Sequence, residues 1–259
     1  MQAYIFIDLD DTLFQTLRKL KPGYDPAELV TRALLADGRE NSFATPKQQW
    51  LWQWLSRDFK IVPVTARDSG AFQRVLLSFT EEAVLNHGAV ILDKHGQVDT
   101  EWQQRMKTEQ AQWQPQLQAL WQVILAYCQD FPDYKPRLVE DYGEILFAVV
   151  KHRSGDEAPL RQLLDDCLLN HPALADGRFY WHLNSNNLAI LPNAIRKERA
   201  VAFLLARYQQ AGEIFTIGAG DSLTDAPFLA LCDYALIPSN TQLFKVLFDG
   251  LPIAHKKRY

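Results

Sequence analysis

Cysteine is scarce in this chain. Only Cys128, Cys167 and Cys232 occur, far apart and odd in number. They make neither a disulfide framework nor a zinc-ligand spacing, and they suit a reducing compartment in which the thiols are buried and neutral. Charge of one sign is also in short supply. The formal net charge is −4 over 259 residues, which gives no electrostatic reason to expect a nucleic-acid partner. No apolar run approaches the roughly 20 residues that span a bilayer, and the N-terminus lacks a basic segment followed by an apolar signal core. The expectation is therefore a cytoplasmic protein without a membrane partner. Internal repeats and low-complexity segments are absent as well. What remains is globular material. Hydrophobic residues make up 47% of the chain, enough for a core in one large domain or two smaller ones.

The first informative stretch is Tyr4-Ile5-Phe6-Ile7-Asp8-Leu9-Asp10-Asp11-Thr12. Aromatic and β-branched residues in an unbroken apolar run predict a strand buried on both faces. Its carboxylates fall where that strand leaves the sheet, the edge at which open α/β sheets bind ligands. Downstream, the segment 29–44 reads as a hairpin turning at Asp37-Gly38. Thr45-Pro46 opens a helix whose Trp50, Leu51, Trp54 and Leu55 are spaced to bury one face. A second strand, 59–65, ends at Thr65 despite Pro63, and a helix is predicted over 69–79. Two short strands around Asn86-His87-Gly88 follow.

Near Asp93 the texture changes. Residues 100–130 carry Trp102, Met106, Trp113, Leu117, Leu120, Trp121 and Ile124 at helical spacing, with Pro115 expected to kink or split the helix. The pattern that follows is two strands, a helix and two more strands, with a turn at Asn184-Ser185-Asn186-Asn187. An α-β-β-α-β-β segment supplies its own antiparallel sheet. Residues 93–187 are read as an inserted second domain, leaving 1–92 and 188–259 as the α/β core. In that core, a helix from about Ile195 carries Lys197, and the strand 214–217 ends in Gly218-Ala219-Gly220-Asp221-Ser222-Leu223-Thr224-Asp225. The tail His255–Tyr259 reads as a solvated terminus.

Strand ends now carry Asp8 and Asp10, Thr65, and Asp221 and Asp225, and Lys197 opens a helix returning to the same sheet. Carboxylates gathered at one edge repel one another unless a cation relieves them, and oxygen-only ligands point to Mg²⁺. Lys197 and Thr65 would be the donors to an anion held against the metal. These are the parts for phosphoryl transfer.

The set resembles the haloacid dehalogenase superfamily of phosphohydrolases. Its first motif is matched by Asp8-Leu9-Asp10-Asp11-Thr12, its second by Thr65, its third by Lys197, and its fourth by Gly220-Asp221-Ser222-Leu223-Thr224-Asp225, in the family's order. The inserted segment resembles the family's C2-type cap, the B variety. The resemblance implies a Rossmann-like core and a Mg²⁺-dependent phosphatase acting on a small phosphorylated metabolite, such as a sugar phosphate. It implies that Asp8 is the nucleophile and Asp10 the general acid and then base. It further implies that Asp8, the Asp10 backbone carbonyl, Asp221 and Asp225 serve the metal, and that Thr65 and Lys197 hold the phosphoryl oxygens. Position 11 is Asp where many members have Gly, position 66 is Ala where Gly is frequent, and Lys197 is followed by Glu198 where Gly is common.

Other readings stay open. The alternatives are a sugar phosphomutase of the phosphomannomutase type and a non-catalytic phosphate-binding or signalling protein. Arg67 either reaches a substrate phosphate or the cap, or pairs with Asp68 or Glu81. His182, Asn184 and Asn186 are candidates for substrate specificity, with ordinary turn residues as the competing reading.

Overall fold

The computed structural model describes residues 1–20 and 23–248; the tail His255–Tyr259 lies outside them. The chain divides into two compact units. One comprises Met1–Val98 and the described residues from Lys197 onward, and the other is Asp99–Arg196. The division comes later than the sequence suggests, and hydrogen bonding explains why. The strand Leu188–Pro192 pairs antiparallel with both Phe179–Leu183 and Glu144–His152, so it completes the second unit's own sheet.

The first unit is built on a parallel sheet in the order Tyr234–Leu236, Ile214–Ala219, Gln2–Ile7, Lys60–Pro63. Tyr4, Ile5, Phe6 and Ile7 are all buried. Neighbouring strand residues point to opposite faces, so burial of four in a row means that both faces are covered. Ile7 lies opposite Ala219 on one side and Pro63 on the other. Pro63 is the last residue of its strand, and the next ladder bond comes from the Val64 amide to the Ile7 carbonyl at 2.8 Å. A proline there removes nothing that the sheet uses. The register brings three strands to an end together. Asp8 donates its amide to the Ala219 carbonyl at 2.9 Å, and Thr65 donates to Val84 at 2.8 Å.

After the first strand the chain makes a small antiparallel sheet of Gln15–Thr16, Glu40–Ala44 and Val30–Leu34. Its turn contains Gly38 at φ +83°, a left-handed position that suits glycine. The helix Pro46–Asp58 is closed by a capping box between Thr45 and Gln48. Leu55 is its fully buried residue, whereas Trp50 is 66% exposed and stacks on Trp54 at 6.3 Å. Trp50 therefore lies outside the core that its spacing predicts. The helix expected over 69–79 stops early, at Ser69–Gln73. The hairpin captures the chain beyond it. Leu34 donates its amide to the Arg74 carbonyl, Leu76 donates to Arg32, and Val75 bridges Ala33.

The second unit opens with the helix Thr100–Asp130, which runs unbroken through Pro115. An internal proline costs a helix roughly 3 kcal/mol. Burial of Trp102, Met106, Trp113, Leu117, Leu120 and Ile124 along one stripe offsets that cost. The sheet beside this helix has the order Phe179–Leu183, Leu188–Pro192, Glu144–His152, Tyr134–Asp141. Tyr142 and Gly143, at φ 48° and 78°, form the tight turn of its long hairpin. A helix at Ala158–Leu163 continues into a π-helical turn, Leu164–Leu168, before the last two strands.

Candidate active site

Asp8 follows the central strand, and its side chain is buried among polar groups of the first unit. Its Oδ1 accepts from Lys197 Nζ at 2.7 Å, and its Oδ2 accepts from Thr12 Oγ1 at 3.4 Å. Lys197 is the first residue of the helix Lys197–Gln209 and donates equally to Asp225 Oδ1 at 2.7 Å. Ligand oxygens of Asp8, Asp221 and Asp225 lie within 4.8 Å of one another. Three carboxylates thus face one ammonium.

The electrostatics follow from burial. Burial pushes the Asp8 carboxyl well above its ordinary value; Lys197 pulls it back, and Asp225 and Asp221 raise it again. Asp221 rises to about 7, first because it is buried and then because Asp225 and Asp11 lie near. Burial alone would lower the Lys197 ammonium, but Asp225 and Asp8 hold it above its ordinary value. Three carboxylates against one ammonium hold on to protons unless another cation takes their place. All the cluster's free donors are oxygens, a set that fits a hard divalent cation.

Asp225 is the most heavily tied of the three. Its Oδ2 accepts from the Asp221 amide at 3.1 Å, the Ser222 amide at 2.9 Å and Ser222 Oγ at 2.7 Å. With Lys197 on Oδ1, its main structural task is to fix the loop and the lysine. Gly220 makes this possible. A Cβ at position 220 would stand 2.5 Å from Asp225 Cβ and 2.7 Å from its Cγ, closer than atoms can approach. The glycine of this motif is thus required by packing, a point that its position in the sequence does not reveal.

Asp10 points elsewhere. Its two oxygens accept from Arg67 Nε at 2.7 Å and Nη2 at 2.8 Å, a bidentate pair. Arg67 Nη1 donates to the Ala71 carbonyl at 3.2 Å, and the guanidinium lies 5.2 Å from the Phe14 ring centre. Burial would lower the Arg67 value, but Asp10 more than restores it. Neither Asp68 nor Glu81 takes Arg67 as its ion-pair partner; Asp68 instead caps the helix that follows it, and Glu81 pairs with Lys60. Thr65 is buried at the adjacent strand end, where its Oγ1 accepts from the Arg67 amide at 3.2 Å. Asp11 sits at φ 65° and pairs with Lys19. That left-handed backbone is the physical reason why a glycine suits position 11.

The remaining candidates belong to the second unit. His182 lies on the strand Phe179–Leu183, and Asn184 and Asn186 lie in the turn after it. Asn184 exchanges backbone hydrogen bonds with Asn187 at 3.1 Å. Asn186 Oδ1 accepts from the His152 amide at 2.7 Å, and its Nδ2 donates to the His152 carbonyl at 2.8 Å. The Asn186 side chain thus pins the turn to the neighbouring strand.

No family model matches the chain, and no curated protein matches it in sequence. Solved structures do match in shape. The C-terminal domain of the Candida albicans trehalose-6-phosphate phosphatase superposes with a TM-score of 0.57 at 16% identity, covering 88% of this chain and 72% of that one. A sucrose-phosphatase from Synechocystis sp., solved with sucrose and phosphate, gives 0.55 at 14% identity, covering 95% and 96%. A trehalose-6-phosphate phosphatase related protein gives 0.51 at 18% identity, covering 92% and 88%. Among the described residues, no helix is long and apolar enough to cross a membrane. With its central parallel sheet, its inserted α+β unit and superpositions that cover most of each chain, this protein shares the fold of these three structures.

Proposed function

We propose that this protein is a Mg²⁺-dependent phosphatase that hydrolyses a small phosphorylated metabolite, a sugar phosphate or a similar ester, through an aspartyl phosphate on Asp8. The observation that carries the reading is the buried cluster of Asp8, Asp221 and Asp225 closed by Lys197 at one sheet edge. The trehalose-6-phosphate and sucrose phosphatases that share the fold support the choice of substrate class.

Each residue's work follows from where it stands. Asp8, Asp221, the Asp10 backbone carbonyl and Asp225 would hold the cation. When bound, that cation supplies positive charge against a phosphoryl oxygen, so that an anionic nucleophile can approach an anionic ester. Lys197, already on Asp8, adds a second positive charge at the same place. Thr65 offers a hydroxyl to the phosphoryl group. An oxygen of Asp8 attacks phosphorus, the P–O bond to the leaving alcohol breaks, and Asp10 delivers a proton to the departing oxygen. Asp10 then takes a proton from a water molecule, whose oxygen attacks phosphorus and restores the Asp8 carboxylate. Arg67 sets the position of Asp10 through its bidentate contact. To give a proton to the alcohol, Asp10 must loosen one of these two bonds.

The test is release of phosphate from p-nitrophenyl phosphate with Mg²⁺. Wild-type protein is expected to turn over, and Asp8→Asn to lose roughly 10³-fold or more of kcat, as removal of a nucleophile does. Undiminished activity of Asp8→Asn would refute the assignment.

A further inference from the structure

Asn86, His87 and Gly88 take no part in the chemistry above, yet their backbone is unusual. Their φ angles are 50°, 57° and 102°, all in the left-handed region. Among the described residues, this is the one place where two consecutive residues other than glycine are left-handed. Residues with a Cβ resist that conformation, although asparagine and histidine tolerate it better than most. Asn86 and His87 are also buried. The segment joins the antiparallel strands Ala83–Leu85 and Val90–Leu92. Loops of that length are most often built on type I turns, whose central residues have negative φ. Closing the hairpin therefore does not account for the conformation.

The bonds that the segment makes do account for it. Asn86 donates its amide to the Arg67 carbonyl at 2.9 Å, and His87 donates its amide to the Thr65 carbonyl at 3.1 Å. These two amides hold the Thr65-Ala66-Arg67 loop at both ends. They extend the pairing of two parallel strands, bridged at Val64 and Val84, past the point where the regular sheet stops. Within the loop, the Arg67 amide donates to Thr65 Oγ1 at 3.2 Å, and the Arg67 guanidinium holds both Asp10 oxygens. The helix Lys197–Gln209 packs against the same segment, and all of these residues belong to the first unit. Strained backbone persists only where its surroundings over-determine it, and such residues cluster at functional sites.

We propose that Asn86 and His87 are positioning residues for the reaction. Their left-handed amides fix the Thr65–Arg67 loop, and through Arg67 they aim the Asp10 carboxyl at the leaving oxygen. This role rests on the phosphatase reading, in which Asp10 protonates the departing alcohol.

Substitutions at position 87 separate backbone from side chain. His87→Gly, His87→Ala and His87→Val all remove the imidazole, but glycine accepts a φ of 57° freely, alanine poorly and β-branched valine least. The full chain with Mg²⁺ is assayed on phenyl phosphate and p-nitrophenyl phosphate. Phenolate is the more basic leaving group and has the greater need of a proton from Asp10. The ratio of kcat/KM for the two esters therefore reports the placement of Asp10, because kcat/KM covers the steps through departure of the alcohol. The glycine variant should keep the wild-type ratio within about twofold, the alanine variant should lower it against phenyl phosphate about threefold, and the valine variant about tenfold or more. A loss of stability alone slows both esters alike and leaves the ratio unmoved. Equal ratios in the glycine and alanine variants overturn the proposal, whether or not the valine variant folds. Failure of the phosphatase reading looks different, because the wild type then turns over neither ester. Hydrogen exchange of the amides at 65–68 decides the hold on the loop in that case: faster exchange in the alanine than in the glycine variant supports it, and equal exchange contradicts it.

Discussion

The two units handle charge in opposite ways. In the first, charge is inside: Asp8, Lys197 and Asp225 are buried, and Lys197 donates to both carboxylates at 2.7 Å. In the second, charge is outside: Lys135 lies directly opposite Lys151 across a hairpin, both are exposed, as is Arg137, and among the described residues none of the three forms an ion pair. A buried paired cluster is coupled to folding, because removing one member strands the others in a low dielectric. An exposed like-charged pair across a sheet instead costs the fold a little. Substitutions in the first unit should therefore lower stability and activity together, and neutral replacements of Lys135 or Lys151 should leave stability unchanged or slightly raised.

The largest effect expected is that of Lys197→Ala. It leaves Asp8 and Asp225 facing each other without a cation, so turnover should collapse and the metal-free protein should lose about 3–5 kcal/mol of stability by denaturant unfolding. Added Mg²⁺ should restore part of the stability without restoring turnover. An unchanged unfolding midpoint would erase the distinction between the units.

Gly220→Ala comes next. The new methyl displaces Asp225, which loosens Lys197 and the amides of Asp221 and Ser222 together. A loss of kcat of about 10²-fold is expected from a displacement of this kind near the chemistry, read in the phosphate-release assay.

The pH dependence of stability sharpens the contrast. Asp221 moves from an ordinary value of 3.8 to about 7 on folding without metal. A raised carboxyl stabilises the fold fully below the unfolded value, and that contribution is lost as pH rises through the folded value. The melting temperature of the metal-free protein should therefore carry a component that falls between about pH 4 and 7, with Asp8 acting in the same direction. Mg²⁺ competes with these protons, so the rise in melting temperature on adding Mg²⁺ should be larger at pH 7.5 than at pH 5. A Mg²⁺ effect independent of pH would mean that the metal does not sit on these carboxylates.

The smallest effect is assigned to Asp11→Gly. Residue 11 already holds φ 65°, so glycine removes backbone strain while breaking the pair with Lys19. Turnover is expected to stay within about threefold of wild type, since exposed ion pairs contribute little.

What the sequence makes legible is whatever depends on position along the chain. Asp8, Thr65 and Asp221 can be placed together because each follows a strand of one parallel sheet, and Lys197 because it opens a helix returning to that sheet. What depends on side-chain direction or on competition between segments is not legible. Arg67 and Asp10 are 57 positions apart, and only the folded loops show that one clamps the other. The helix after Asp68 is cut short because Arg32 and Leu34 offer the chain sheet hydrogen bonds. Pro115 reads as a break, yet a continuous buried stripe carries the helix across it. Trp50 has core spacing but faces outward. The second unit's cations are plain in the sequence, but their common face depends on a register that only strand pairing fixes.

In the proposed reaction Asp8 attacks phosphorus. The direct measurement is to quench the enzyme during turnover of p-nitrophenyl phosphate, reduce it with borohydride and map its peptides by mass spectrometry. An acyl phosphate on Asp8 is reduced to homoserine, so homoserine at position 8 that depends on substrate is expected. Steady turnover with Asp8 always recovered as aspartate would contradict it.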